Sequence, residues 1–486
     1  MKLGGNKLSI HKPQLPGNPN TGNKIKSIII LAIPAVIENF FQTTLGFVDT
    51  YFVSKIGLVE VSAVGISNAL LAIYFAIFMS LGVAVNVFIA NFLGANQQKK
   101  AQHIAQQAIM MAIFLGILFG FVTLFFAEPL LRLMGIAPNV LEAGAIYFRI
   151  VAIPSVLMSL MFVFSSILRG SGDTKSPMII SIVINIVHAL LDYVLIFGFA
   201  FIPSLGIVGA AWATVIARFL GAIGLYLYIR KSKSVSFVKE YWKIDWRHQW
   251  ELITLGSPAA GERLIMRAGQ IVYFGFIVAL GTNTFAAHQI AGNIEIFSYM
   301  IGYGFATAAT ILVGKQVGAQ KFDEAKHYAK LCTYLSAVFM TAIGVILFFF
   351  GGWAGTFFTT DSKVIDEIKI ALQISGIFQP FLAIVLVLTG AFQGANNTKF
   401  PMYLTAIGMW VIRTLFVYLL GIRLGWGLMG VWIGIGLDII LKAVILWIKF
   451  RRGNWILTKV SPKEDPESKC HPQTARENMS CCPNNY

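Results

Sequence analysis

Charge is what this sequence has least of. Only 12% of its 486 residues are Asp, Glu, Lys or Arg, about half the share typical of a soluble domain. Acids are scarcer still, 22 against 38 Lys and Arg, which leaves a net charge of +16. Cysteine is nearly absent. Of four, Cys332 falls in an apolar run and Cys470, Cys481 and Cys482 lie in the tail, so a disulfide framework is excluded. The tail thiols beside His471 match no zinc spacing and read as reduced thiols. The chain has no HExxH, GxSxG or CxxC motif and no GxxxxGK[ST] loop. These absences argue against an enzyme, and without nucleotide hydrolysis any transport must draw on an ion gradient. Period-two alternation is missing, which excludes a β-barrel. No short apolar core precedes a small-residue cleavage site at the N-terminus, so residues 1–26 read as a basic arm, not a cleavable signal.

Apolar residues fill the space that charge leaves, at 57% of the chain. Runs long enough to cross a hydrocarbon core recur near 27–54, 61–93, 103–127, 140–168, 176–198, 205–229, 252–280, 285–313, 327–352, 368–392, 400–421 and 426–449. The predicted fold is therefore all-α and integral to a membrane, with 12 transmembrane helices. Landmarks repeat at an offset of 224 residues: Pro34 with Pro258, Glu38 with Glu262, Gly57 with Gly281, Gly94-Ala95 with Gly318-Ala319. Gly170-x-x-x-Thr174-Lys175-x-Pro177 returns as Gly394-x-x-x-Thr398-Lys399-x-Pro401; both read as turns with a proline opening the next helix. The chain is two copies of one unit, predicting two pseudo-symmetric six-helix lobes with a working site between or inside them. Lobe one spans 27–229, a linker 230–250, lobe two 251–449, and a disordered tail 450–486. The linker's Trp242, Trp246 and Trp250 fit an amphipathic strap at the membrane surface.

Orientation follows from Lys and Arg. With both termini inside, 27 of the 38 fall on inner segments and six on outer loops, which predicts N-in and C-in at the cell membrane. The positive charge then belongs beside anionic lipid, and a nucleic-acid partner is not expected. A monomer in lipid is the expected state.

Ionisable side chains inside apolar spans cost at least ~2.5 kcal/mol each by insertion scales, so they are usually functional or paired. His188 and Asp192 share one helix face at i, i+4, with Asn185 two turns from Asp192. An amide, an imidazole and a carboxylate on one face make a proton site or a cation site. Asp49 ends a Gly46-Phe47-Val48 run in the first span, with Glu38 three turns earlier on nearly the same face. In lobe two, Glu262 stands near Arg263 and Arg267, and a pairing of Glu262 with Arg413 is expected. Glu295 shares a face with Tyr299, a combination suited to an organic cation through charge and cation–π contact.

The ordered motifs resemble the multidrug and toxic compound extrusion (MATE) family, most of all its DinF-type branch. They are Pro34 followed by Gly46-Phe47-Val48-Asp49-Thr50, Ala84-Val85-Asn86 through Leu93-Gly94-Ala95, and Leu168-Arg169-Gly170-x-Gly172-Asp173-Thr174-Lys175-x-Pro177. Lobe two adds Ala286-Ala287-His288-Gln289-Ile290, Val313-Gly314-x-x-x-Gly318-Ala319 and Phe392-Gln393-Gly394. The resemblance implies a V-shaped bundle, alternating access, and export of amphipathic, often cationic compounds against H⁺ or Na⁺. It maps cation coupling onto Asp49, Asp192 and Tyr147. His188 stands where relatives commonly carry Asn, which tilts the expectation from Na⁺ to H⁺. No cofactor is expected beyond that ion; a Na⁺ would sit at Asp49 and Asp192. Glu38, Glu262, Glu295, Tyr299, Arg267 and Arg413 are the expected substrate contacts. The alternative is a flippase or exporter of a lipid-linked or anionic substrate, which would use Arg263, Arg267 and Arg413.

Overall fold

The computed structural model describes residues 21–457, except 136, 200–202 and 233. The polar arm before Thr21 and the tail cysteines lie outside the described residues. The chain folds as a series of long helices: α1 Thr21–Ser54, α2 Leu58–Gly94, α3 Gln98–Arg132, α4 Pro138–Ala152, α5 Ser155–Ser171, α6 Lys175–Phe197 and α7 Gly206–Lys231 form the first half. The second half comprises α8 Trp246–Ala279, α9 Thr282–Gly318, α10 Phe322–Gly355, α11 Ser362–Gly394, α12 Lys399–Ile407, the short α13 Thr414–Phe416 and α14 Gly427–Arg451. Two π-helical stretches, Gly408–Arg413 and Val417–Arg423, flank α13 and continue α12 as one rod.

Ten of these rods are long and apolar enough to cross a membrane, and α4 with α5, bent by 48° at Pro154, makes an eleventh. The twelfth expected span, α8, has the length of α1, but Glu262, Arg263 and Arg267 lower its apolar character. Helix α1 begins at Thr21 rather than near 27 because Lys24 is buried and ion-paired with Glu324 of α10 at 2.6 Å. Packing also continues past α14: Trp455 is buried against Phe392 and Phe450.

The end of the bundle where α1 starts and α14 stops, the proximal end, gathers the α2–α3, α5–α6, α9–α10 and α11–α12 turns and the α7–α8 strap. Here the repeat becomes a two-fold contact between α2 and α9. A Cβ added to Gly94 would lie 2.0 Å from the Lys315 carbonyl oxygen, and one added to Gly318 would lie 1.9 Å from the Asn91 carbonyl oxygen. Asn91 and Lys315 are themselves 224 residues apart, so the approach is reciprocal. Only glycine permits backbones this close. Asn91 Nδ2 donates to Gly394 O at 3.2 Å and Lys315 Nζ to Ser171 O at 3.2 Å, again in mirror roles.

The first helix of each half crosses over at this end. Ile28, Leu31 and Ala32 of α1 pack in a core with Phe305, Ala308 and Ala309 of α9. Leu252 and Leu255 of α8 pack with Leu81, Ala84 and Phe88 of α2. Sequence boundaries at 229 and 251 therefore divide the chain but not its cores: the proximal half of α1 is buried by lobe two.

Candidate functional site

Asp49 and Asp192 stand in the last turns of α1 and α6, in the distal half of lobe one. The i, i+4 spacing holds His188 over Asp192, with Nε2 to Oδ2 at 3.6 Å. The same nitrogen is 3.9 Å from Asp49 Oδ1. Thr214 of α7 approaches His188 Nε2 at 3.3 Å. The Asp192 side chain is 2% exposed and His188 7%, whereas Asp49 is 31% exposed and is the site's opening. Ligand atoms of Asp49, His188 and Asp192 all lie within 4.8 Å of one another.

Three polar atoms in this group are buried with no hydrogen-bond partner: Asp49 Oδ1, Asp192 Oδ2 and Asn185 Nδ2. Unpaired buried polar atoms are costly, so these acid oxygens are open to a further partner. Tyr147 of α4 is buried beside the acids and Thr214. Arg218 of α7, absent from the sequence candidates, completes the group. It interacts with Tyr147, Asp49 and His188 and donates to the Val151 carbonyl at 3.2 Å. Its signal was available, since it is the one charge in the apolar run 205–229. The group sets two acids, Asp49 and Asp192, against one guanidinium, Arg218.

Lobe two holds the counterpart with its charges exchanged. At the repeat offset Asp49 becomes Tyr273, Thr214 becomes Asp438 and Arg218 becomes Lys442. The π-helical stretch of Gly408–Arg413 adds one residue, which brings Arg413 to the place of His188. Arg413 Nε and Nη2 sit 2.9 and 2.8 Å from Asp438 Oδ2, and Lys442 Nζ reaches the same oxygen at 2.9 Å. The Arg413 guanidinium lies 5.8 Å from the Tyr273 ring centroid. Gly408 leaves the room for this cluster: a Cβ there would meet Lys442 Cε at 2.1 Å. Arg413 thus stands in lobe two where lobe one has His188, while Lys442 takes the place of Arg218.

The acids expected to meet a substrate are not brought together. Glu38 is ion-paired with Arg169 of α5 at 2.7 Å. Glu262, its repeat partner, accepts from Thr405 Oγ1 at 3.0 Å and does not pair with Arg413, which Asp438 holds. Glu295 accepts from Ser375 Oγ and lies in a cluster with Tyr299 and Arg413. A cavity of about 10 Å³ beside Glu295, Ser375, Gln379 and Trp432 has room for one water. Arg267 is exposed and donates to Gln270 at 3.2 Å. Between the lobes, Phe297 of α9 meets Phe40 and Phe47 of α1 with ring centroids 5.8 and 6.4 Å apart.

The model of the MatE family matches residues 34–194 and again 258–419. The chain belongs to the MatE family. The two matches begin at Pro34 and Pro258, 224 residues apart, and end 225 apart, in keeping with the single inserted residue of the π-helical stretch. Among curated relatives, this family member is 33% identical over 448 residues to the "Probable multidrug resistance protein NorM" of Thermotoga maritima, covering 90% of this chain and 96% of that one. It is 28% identical to the "Uncharacterized transporter YisQ" of Bacillus subtilis, over 89% of this chain and 96% of that one. Among solved structures, an outward-facing multidrug resistance MATE transporter of the MOP superfamily superposes with a TM-score of 0.83 at 22% identity, covering 89% of this chain and 96% of that one. That likeness establishes the fold.

Proposed function

We propose that this membrane transporter exports small amphipathic organic cations in exchange for one proton per cycle, taken up at Asp49, His188 and Asp192. The single observation that carries the reading is the pair of buried acid oxygens left unpartnered around an imidazole, opening at Asp49. Two acids against one guanidinium leave a place for one cation, and the relatives named for multidrug resistance supply the substrate class. A proton suits the site better than Na⁺ because His188 offers a nitrogen base where an all-oxygen shell would be needed. Lobe two does not share the coupling, because Arg413 and Lys442 already neutralise Asp438.

Mechanically, a proton on the acid pair weakens the attraction between Asp49 of α1 and Arg218 of α7. Asp49, near the end of α1, is the group whose contacts change first. Because α1 also packs on α9 through its proximal half, a shift of α1 is felt by both lobes. The Phe40–Phe47–Phe297 seam would hold the flat, apolar part of a substrate. The protein works as a monomer in the cell membrane with its proximal end in the cytoplasm, where the basic loops meet anionic lipid.

Export of a lipid-linked or anionic substrate would need free cations lining the path. Arg413 and Lys442 are held by Asp438, which leaves Arg263, half-buried, and Arg267, exposed, to serve it. The deciding experiment is proton flux in liposomes holding the purified protein, with ethidium or norfloxacin added across an imposed gradient. Substrate-dependent proton movement that disappears in Asp49→Asn and Asp192→Asn supports the reading. Efflux that follows a Na⁺ gradient at clamped pH and membrane potential would sink proton coupling.

A further inference from the structure

A second group of metal-ligating side chains lies at the proximal end, far along the chain from the coupling site. His103 projects from the second turn of α3. Asp245 caps α8, and His248 follows in its first turn. The Asp245 carboxylate is shared by both imidazoles, at 2.7 Å from His248 Nδ1 and 3.9 Å from His103 Nε2. One ligand atom from each of the three residues lies within 4.8 Å of the others. The two imidazole rings face each other with centroids 4.5 Å apart and no hydrogen bond between them.

The surroundings hold these residues in place. Tyr241 stacks on His103 with centroids 4.8 Å apart and planes 26° apart. Gln107, one turn after His103, donates to the carbonyls of Lys243 at 2.6 Å and Tyr241 at 3.2 Å and accepts from the Asp245 N–H at 3.0 Å, and its Nε2 lies 3.4 Å from His103 Nε2, a contact that a metal would replace. Gln249 of α8 donates back to Gln107 Oε1 at 2.8 Å. Gln106 closes a two-way bond with the backbone of Val238, at 2.8 Å in each direction. The strap between the repeats is thus bound along its length to α3. Asp245 Oδ1 is engaged by the backbone N–H groups of Arg247 at 3.0 Å and His248 at 3.4 Å, which leaves Oδ2 for a shared ligand. The three side chains are 18% to 34% exposed, enough for an ion and a water to enter.

We propose that His103, Asp245 and His248 form a binding site for a divalent transition-metal ion, Zn²⁺ by its ligand chemistry, that clips α3 of the first repeat to the start of α8 in the second. Two imidazoles and one carboxylate suit Zn²⁺ and disfavour Na⁺, Mg²⁺ and Ca²⁺, which prefer oxygen shells. A tetrahedral ion with three protein ligands takes water as its fourth. The metal takes the place of the proton on His248 Nδ1, and the ring keeps its one N–H on Nε2. Ligand atoms around Zn²⁺ sit about 3.3 Å apart for bonds near 2.0 Å, so Asp245 and His248 open slightly while His103 closes in. The Gln107 contacts already hold the three near this spacing, so α3 and α8 need not be rearranged. This inference is independent of the transport reading.

The test uses the purified full chain with Cys470, Cys481 and Cys482 replaced by Ser, so that tail thiols cannot bind the probe. After treatment with chelator, Zn²⁺ alone is titrated by calorimetry, and Co²⁺ is followed by its visible ligand-field bands. One metal per chain is expected, with bands of tetrahedral strength. His103→Gln and His248→Gln should each weaken Zn²⁺ binding at least tenfold, a loss typical of a removed ligand. Asp245→Asn, which keeps the helix cap, should weaken it as well. Stoichiometric binding that survives in the His103→Gln/His248→Gln double variant would place the metal elsewhere and overturn the proposal. Failure of the parent chain to bind Zn²⁺ at tens of micromolar would overturn it equally.

Discussion

Replacing Gly318 with Ala places one methyl group at the tightest crossing in the molecule. Its Cβ would sit 1.9 Å from the Asn91 oxygen, 2.7 Å from the carbonyl carbon and 2.8 Å from Cα. All three are backbone atoms of α2, so no rotamer change makes room. Ordinary contact begins near 3.4 Å, which requires α2 and α9 to part by about 1.5 Å, and overpacking of this kind costs about 1–3 kcal/mol. The cost falls only on conformations in which α2 and α9 cross here. If the transport cycle opens the proximal end, the open state escapes it, and the balance moves toward opening by roughly 5- to 150-fold. Spin labels at Gln97→Cys and Lys321→Cys, in a chain with its native cysteines replaced, would report the spacing across this contact by electron–electron resonance. The longer-distance population should grow in Gly318→Ala. It should not change in Gly292→Ala, on the same helix, where an added Cβ meets nothing within 4 Å. An unaltered distance distribution in Gly318→Ala, with an unaltered thermal midpoint, would refute the reasoning.

Other consequences follow from the same geometry. Asp438 is fully buried and holds two cations on one oxygen, so Asp438→Asn should lower stability by about 3–5 kcal/mol; a thermal scan in detergent should show it falling further than Arg413→Ala, which leaves Asp438 with Lys442. His188→Asn removes the imidazole and leaves oxygen-rich ligands, so drug efflux in that variant should gain a dependence on a Na⁺ gradient that the parent lacks. Partial burial pushes the Asp245 carboxyl up, but the His248 hydrogen bond and charge and the N–H groups of Arg247 and His248 outweigh it and hold it below its ordinary value. The cap's contribution should therefore be complete above about pH 4 and disappear as pH falls through the lowered value; amide exchange in the first turn of α8 should show this, and Asp245→Ala should remove the pH dependence along with about 0.5–2 kcal/mol of stability.

Much of the Asp49–His188–Asp192 cluster was legible in sequence because its signals are local. Asp192 and His188 stand out as charge in a hydrocarbon run, and helix geometry alone puts them on one face. Asp49 is marked the same way, but nothing in its own span says that it meets α6. Arg218 carries an equal signal, and its role appears only when α7 is packed beside α1. Glu38, Glu262 and Glu295, the acids expected to contact substrate, are bonded to Arg169, Thr405 and Ser375, partners the sequence did not single out. Side-chain partners across helices depend on rotation and depth, which apolar periodicity does not specify.

The sequence by itself determined that this chain is helical, spans a membrane and is built from two copies of one unit. Scarcity of charge, run length and a constant 224-residue offset require it, since backbone groups in lipid must be satisfied within helices. It also fixed where glycine recurs, at Gly94 and Gly318. Only the tertiary structure decided why: the two helices meet there closer than any side chain permits. It likewise decided that α1 shares a core with the opposite lobe, that Arg413 stands beside Asp438 in lobe two where lobe one has His188, and that His103 meets Asp245 and His248 across the strap. Each of these is a contact between residues far apart in the chain, set by helix crossings and by the residue that π-helical winding inserts.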